Sequence, residues 1–278
     1  MSGEPKGSHY ISSDSSHLFG RTLDRSRRDG LRSAGSVRLQ PDLVGPAGHQ
    51  RKEHHDGLMQ DIDAILFDPV GALAEFPSEP FEEIATRVFG RALPAGASGS
   101  QTYWAILNLI DEAQRPLHEE ERAILEACEL EAVAQASVYE DSAPALTELR
   151  SLGIRLMIAT SLSEAALERF LAKTSLGEVF AGRSSRDTSG GVMHAPLAHA
   201  IAARELVPSR VMELTDTADG LRAAKQVGVN VVLMMNDPDE AMRLTAHCPA
   251  GGIVSLHELP DFVRLVAAEN ARSSRRHR

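Results

Sequence analysis

From Asp61 onward the chain alternates short apolar runs with longer segments of helical period. The runs DAILF (63–67), IRLMIA (154–159), RVMEL (210–214), NVVLMM (230–235) and GIVSL (252–256) are too short for helices. They are mostly continuous rather than alternating, the pattern of strands buried on both faces of a parallel sheet. Between them, SEAALERFLAKT (163–174), PLAHAIAARELV (196–207) and DGLRAAKQVG (219–228) carry apolar residues near i, i+3, i+4 and i+7, as amphipathic helices do. Strands alternating with such helices predict an α/β fold, a doubly wound, Rossmann-like parallel sheet with its site at the carboxyl ends of the strands.

Two stretches break the alternation. Residues 77–137 read as helices only, in EPFEEIATRVFGR, SQTYWAILNLIDEAQ and HEEERAILEACELEAVAQAS. They predict an all-helical cap inserted after the first strand, able to exclude water from the strand ends and select a substrate. Residues 1–57 are rich in Ser, Arg, Gly and His, with apolar residues scattered singly. Such a segment buries too little surface to offset its ordering entropy, so a disordered arm is expected. The closing ARSSRRHR reads as a solvated tail. The expected organisation is an arm over 1–57, a core over 58–76 and 138–268, a cap over 77–137 and a disordered tail over 269–278.

Composition acts here mainly by exclusion. The 278 residues, 42% of them hydrophobic, can bury a sizeable core without staples. The formal net charge is −10, with 9 Lys/Arg and 7 Asp/Glu in residues 1–57 against 20 and 32 in the rest. A nucleic-acid partner held through its phosphates is disfavoured by that sign. The two cysteines, Cys128 and Cys248, lie in no CxxC pair. That excludes a disulfide framework or cysteine zinc site and points to a reducing, intracellular compartment. No apolar run reaches the roughly 18 to 20 residues that a membrane span requires, so a cytoplasmic chain with no membrane partner is expected. No oligomeric state is implied.

Three stations carry candidate chemistry. Asp68 ends the first strand in AILFDPVGAL, with Gly71 close behind to let backbone approach a ligand; such a carboxylate is a nucleophile or a turn cap. Thr160 and Ser161 stand between a strand and a helix, where hydroxyls and free N–H groups make an anion pocket, or where one residue serves as N-cap. Asp216 lies just past another strand. If that strand neighbours the first, Asp216 and Asp68 can share a Mg²⁺, which takes one or two carboxylates plus substrate oxygens and water. Other signals are weaker. HEEER (118–122) has Arg122 where HExxH needs a histidine, and His194 and His199, five apart, share no helix face. NDPDEAMRL reads as a helix start with Asp237 as cap and Pro238 at the first position. Tyr103 and Trp104 stand at a helical spacing that suits the core, or face the substrate from the cap.

In this order the stations resemble the haloacid dehalogenase-like superfamily, in its subgroup with a helical cap between the first and second motifs. The resemblance covers residues 61–268. The first motif, Asp-x-Asp-Gly-Thr, is matched at Asp68 and Gly71, with Val70 in place of the second Asp and Ala72 in place of the Thr. The Ser/Thr of the second motif falls on Thr160. The third, Gly-Lys-Pro-x-Pro, lands on VMHAP, with its last proline at Pro196 and Met193 where the lysine is expected. The aspartate of the fourth falls on Asp216, and the acid often found beside it is replaced by Thr215 and Gly220.

The resemblance implies a Mg²⁺-dependent phosphatase acting on a small-molecule phosphate ester. Asp68 would be the nucleophile, Thr160 would hold phosphoryl oxygens, and Asp68, Asp216 and the Val70 carbonyl would bind the metal. Gly71, Ser161 and His194 would face the substrate, a protonated His194 replacing part of the lysine's charge. The departures imply a weak or specialised enzyme. In family phosphatases the second Asp protonates the leaving alcohol and activates water, help of roughly 10²–10⁴-fold that Val70 forfeits. The alternatives are a catalytically inactive pseudoenzyme with a binding or regulatory role, and dehalogenase-like chemistry, in which no alcohol needs a proton. The cap has no Trp-Arg pair of the dehalogenase kind and no lysine for the Schiff base of phosphonate-cleaving members.

Overall fold

The computed structural model describes residues 61–94, 96–236, 242–247 and 249–276, with side chains to 273. The expected arm over 1–57, the helix start at Asp237 and Cys248 lie outside the described residues. In chain order the strands are β1 (Ala64–Phe67), β2 (Ala74–Glu75), β3 (Ser137–Val138), β4 (Arg155–Ala159), β5 (Gly182–Ser184), β6 (Val211–Thr215), β7 (Asn230–Met234) and β8 (Gly251–Ile253). Six form one parallel sheet in the order β5-β4-β1-β6-β7-β8. The winding reverses at β1, so a crevice opens between the carboxyl ends of β1 and β6, where doubly wound sheets bind their ligands.

Every residue of β1 is buried, and so are the apolar positions of β4, β6 and β7; this is why those runs are continuously apolar. The helices α4 (Ser142–Ser151), α5 (Glu164–Thr174), α6 (Arg186–Ser189), α7 (His194–Ala203), α8 (Ala218–Val227) and α9 (Leu259–Arg276) complete the core. No helix among the described residues is long and apolar enough to cross a membrane.

After β1 the chain turns through Pro69–Leu73, passes β2, and runs through α1 (Glu79–Phe89), α2 (Gly99–Glu112) and α3 (Glu119–Gln135) before returning through β3. These three helices fill the stretch expected to be all-helical. Strands β2 and β3 pair antiparallel, Ala74 with Val138 and Glu75 with Ser137, so the insertion leaves and rejoins the core at one place. Its last helix is held by Lys173 of α5, whose ammonium donates to the carbonyls of Val133 (3.0 Å), Ala134 (2.8 Å) and Ala136 (2.7 Å). A cation there satisfies carbonyls left open by the helix end and complements its dipole.

Two elements differ from the sequence reading. Strand β5 was not expected, because Gly-Arg-Ser has no apolar run; it is a short edge strand held by β4. The last helix continues to Arg276, beyond the boundary at 268, so residues 269–276 are helical rather than a disordered tail. Helix propagation fixes one residue per hydrogen bond and needs no apolar face once begun, and Asn270 bonds Asp61 at 3.0 Å.

Candidate active site

Strand register brings the three stations together. Phe67 is paired with Ile158 on one side and with Leu214 on the other, so Asp68, Thr160 and Asp216 leave the carboxyl ends of three adjacent strands. Asp68 is buried, and its Oδ1 accepts from the Thr160 hydroxyl at 2.8 Å and the Val70 N–H at 3.1 Å. Both bonds fall on Oδ1, which leaves Oδ2 without a donor among the described residues. Burial pushes the Asp68 pKa up to about 7; the Val70 N–H and Thr160 hydroxyl oppose the rise, and the charges of Asp216 and Glu129 add to it. Removing a carboxylate from water disfavours its ionised form, and a second anion nearby does so again.

Asp216 sits against the first turn. A Cβ on Gly71 would lie 2.5 Å from Asp216 Oδ1, and Gly71 has φ +85°. Glycine is therefore required twice, for the left-handed turn and for the close approach of the carboxylate. Asp216 Oδ2 accepts from the Ser100 hydroxyl of α2 at 2.7 Å and from the Asn236 amide at 3.2 Å. The same amide donates to the Gly71 carbonyl at 3.3 Å.

The other expected residues divide. Val70 is buried as an apolar side chain, so what it offers the site is backbone. Ser161 is buried; its hydroxyl oxygen accepts from the Met193 N–H at 2.7 Å, and its carbonyl accepts from Arg186 at 2.9 Å. Ser161 thus ties the second motif to the third. Met193 holds φ +59° at the start of α7, an uncommon conformation for a residue with a side chain. His194 follows it, exposed at the first position of α7, and bonds to none of Asp68, Thr160 and Asp216. The helix start leaves it exposed to solvent. His199 bonds Ser184 at 2.9 Å, and His118 begins α3, where Glu121 accepts from its backbone N–H at 2.7 Å.

Sequence reading missed Glu129, Arg186, Glu213 and Ser100. Glu129 of α3 is fully buried and forms a forked pair with Arg186 (2.5 and 3.2 Å), while also accepting from the Ser163 N–H at 3.0 Å. The signal for Glu129 was its place, i+4 from Leu125 and i−3 from Ala132, on the buried face of an amphipathic helix. Glu213, inside β6, is buried with its Oε2 unpartnered, and a glutamate inside a continuous apolar run was the sign of it. Burial, and then the charge of Asp68, hold its pKa well above the ordinary glutamate value. Ser100 had no signal along the chain, because its partner lies 116 residues away.

Two carboxylates on neighbouring strand ends, one raising the pKa of the other, form a hard oxygen donor set. Among the described residues no group of three or more His, Cys, Asp or Glu side chains gathers to hold a metal. Such a pair suits Mg²⁺, which binds through one or two carboxylates and otherwise through water and substrate, and not a zinc cage.

The family model for haloacid dehalogenase-like hydrolases matches residues 59–234. CbbY of Cereibacter sphaeroides is 28% identical over 200 residues, covering 62% of this chain and 84% of that protein. Tyrosine-protein kinase PtkA of Mycobacterium tuberculosis is 33% identical over 104 residues; the match spans 36% of this chain and only 35% of the kinase. Among solved structures, a predicted phosphatase from Clostridium acetobutylicum superposes with a TM-score of 0.56 at 13% identity, over 73% of this chain and 99% of that one. CbbY from Rhodobacter sphaeroides in complex with phosphate gives 0.53 at 22%, over 71% and 96%.

Proposed function

The chain belongs to the haloacid dehalogenase-like hydrolases, and within that family we propose a cytoplasmic Mg²⁺-dependent hydrolase of small-molecule phosphate esters, with Asp68 as nucleophile and the inserted helices as a cap. The observation that carries this reading is the state of Asp68. Its Oδ1 is fixed by Thr160 and Val70, and its Oδ2 is without a donor and available to attack phosphorus. In that step the Oδ2–P bond forms and the ester P–O bond breaks, leaving an aspartyl phosphate and the alkoxide of the leaving group. Thr160 holds Asp68 in place and its hydroxyl lies where phosphoryl oxygens would gather. Asp68, Asp216 and the Val70 carbonyl would hold Mg²⁺, which when bound neutralises charge on the phosphoryl oxygens.

The side chain of Val70 can neither protonate the alkoxide nor activate water for the second step. Esters whose leaving group needs no proton are therefore favoured, and turnover is slow. The test is phosphate release from a panel of esters, sugar phosphates included, with Mg²⁺ and with Asp68→Asn as control. The panel also includes halide release and ATP with a tyrosine peptide acceptor, the activity named for the mycobacterial relative. Loss of turnover in Asp68→Asn supports the reading, and turnover that survives the change sinks it.

A second reading, a pseudoenzyme that binds a ligand without turning it over, is favoured by one observation. Asp216 Oδ2 accepts from two neutral donors, the Ser100 hydroxyl and the Asn236 amide. A folded wild-type protein silent on every substrate of the panel would put this reading first.

A further inference from the structure

Tyr103 of α2 is 1% exposed, and its hydroxyl has no hydrogen-bond partner among the described residues. Buried hydroxyls are almost always paired, so one that is not marks strain or a missing ligand. The ring lies against Phe81 of α1, centroids 5.1 Å apart. The hydroxyl stands beside Thr160, without a hydrogen bond of proper geometry to it, in the field of Asp68, Glu129 and Arg186. Burial, and then the charges of Asp68 and Glu129, raise its ionisation well above the usual tyrosine range. It therefore remains a neutral O–H donor.

Its position follows from how α2 is seated. Ser98 and Gln101 close a capping box: Ser98 Oγ accepts from the Gln101 N–H at 3.2 Å, and Gln101 Oε1 accepts from the Ser98 N–H at 3.0 Å. A Cβ on Gly99 would lie 1.9 Å from the Phe76 carbonyl oxygen, so the first turn rests directly on backbone at the base of the insertion. Ser100 and Tyr103, three apart, share a helix face. The first delivers its hydroxyl to Asp216 and the second to the side of Asp68 and Thr160.

We propose that Tyr103 is a ligand-contacting residue whose hydroxyl donates a hydrogen bond to an oxygen of a phosphoryl group held between Asp68 and Thr160. It supplies a donor to a site whose core has Val70 and Met193 in place of an acid and a lysine. The choice of ligand rests on the phosphate-ester reading; the role of the hydroxyl requires binding and not turnover.

The test is calorimetric titration of the full chain with inorganic phosphate, in the presence of Mg²⁺, comparing wild type with Tyr103→Phe. The variant should bind phosphate at least about tenfold more weakly, the loss of one hydrogen bond to a charged group. Its thermal midpoint should be unchanged or higher, since a hydroxyl without a partner has been removed. Affinity within about twofold of wild type would overturn the proposal, being less than one such bond contributes. A fall in midpoint together with affinity would overturn it as well, by showing a packing role. So would wild-type protein that binds no phosphate at millimolar concentration. Weakened binding by Tyr103→Phe in a protein without turnover would sink the phosphatase reading alone.

Discussion

The sheet and the inserted helices each bury a glutamate near Asp68, and they solve the same electrostatic problem in different ways. On the sheet side Glu213 has no partner for Oε2 and is held toward its protonated form by burial. On the insertion side Glu129 is equally buried and paired with Arg186, with the Ser163 N–H completing its bonds. Asp68 lies between, raised to about 7 and touched by the fields of both sides. A charge generated inside the sheet is thus resolved by a proton, whereas one at the seam between insertion and core is resolved by a partner from the other side of the seam. The first arrangement is a matter of pH and the second of geometry.

The sharpest way to break this contrast is Glu129→Ala. Removing one member of a buried pair leaves Arg186 uncompensated, and the expected loss is about 3–5 kcal/mol, read as a fall in denaturation midpoint. Glu213→Leu should cost far less or stabilise, because it strands no opposite charge. Equal losses from the two changes would erase the distinction.

The second effect concerns activity. Val70→Asp, Ala72→Thr and Met193→Lys together should raise phosphate release by about 10²-fold, the low end of what one general acid contributes. The gain should disappear in Asp68→Asn, and each single change should do much less, since residues acting as a unit are not additive. A folded, Mg²⁺-binding triple variant that remains silent would mean that the pocket itself has been rebuilt.

The third is Gly99→Ala. Alanine favours a helix by up to about 1 kcal/mol over glycine, but here its Cβ would meet the Phe76 carbonyl. The expected result is a net loss of about 1–3 kcal/mol, typical of overpacking, with weaker phosphate binding as Tyr103 shifts. A stabilised variant with intact binding would show that the seat of α2 is unimportant.

The smallest is a slope. Glu213 keeps a proton in the folded state that the unfolded chain releases near its ordinary value of 4.5. Stability should therefore be highest below that pH and fall as pH rises toward the folded value, by up to about 1.4 kcal/mol per unit. Asp68 contributes a fall of the same sign between 3.8 and about 7. Glu213→Gln should flatten the metal-free stability curve without abolishing its slope, and an unchanged curve would show Glu213 ionised in the folded protein.

Much of the sheet side was legible in the sequence. A strand buried on both faces must be apolar throughout, so β1, β4, β6 and β7 announced themselves, and register then brought Asp68, Thr160 and Asp216 to adjacent strand ends. The helical character of the insertion was legible from its period. What α2 and α3 point at was not, because Ser100, Tyr103 and Glu129 find their surroundings across the seam, at separations no local pattern encodes. His194 shows a related limit: its place after Met193 is a fact of sequence order, while its exposure follows from the turn at Met193.

The pairing of β2 with β3 bears on how the chain can vary. Ala74 and Val138 stand opposite one another, so the residues between them form a loop whose ends already meet. Closing such a loop costs free energy that grows only with the logarithm of its length, about 0.6 kcal/mol for each doubling. Residues can be added to or removed from the middle of the insertion at little entropic cost to the sheet beneath. Selection on the interior of that loop is then set by its own contacts with the core, such as Ser100 with Asp216 and Glu129 with Arg186, and not by the cost of closing it.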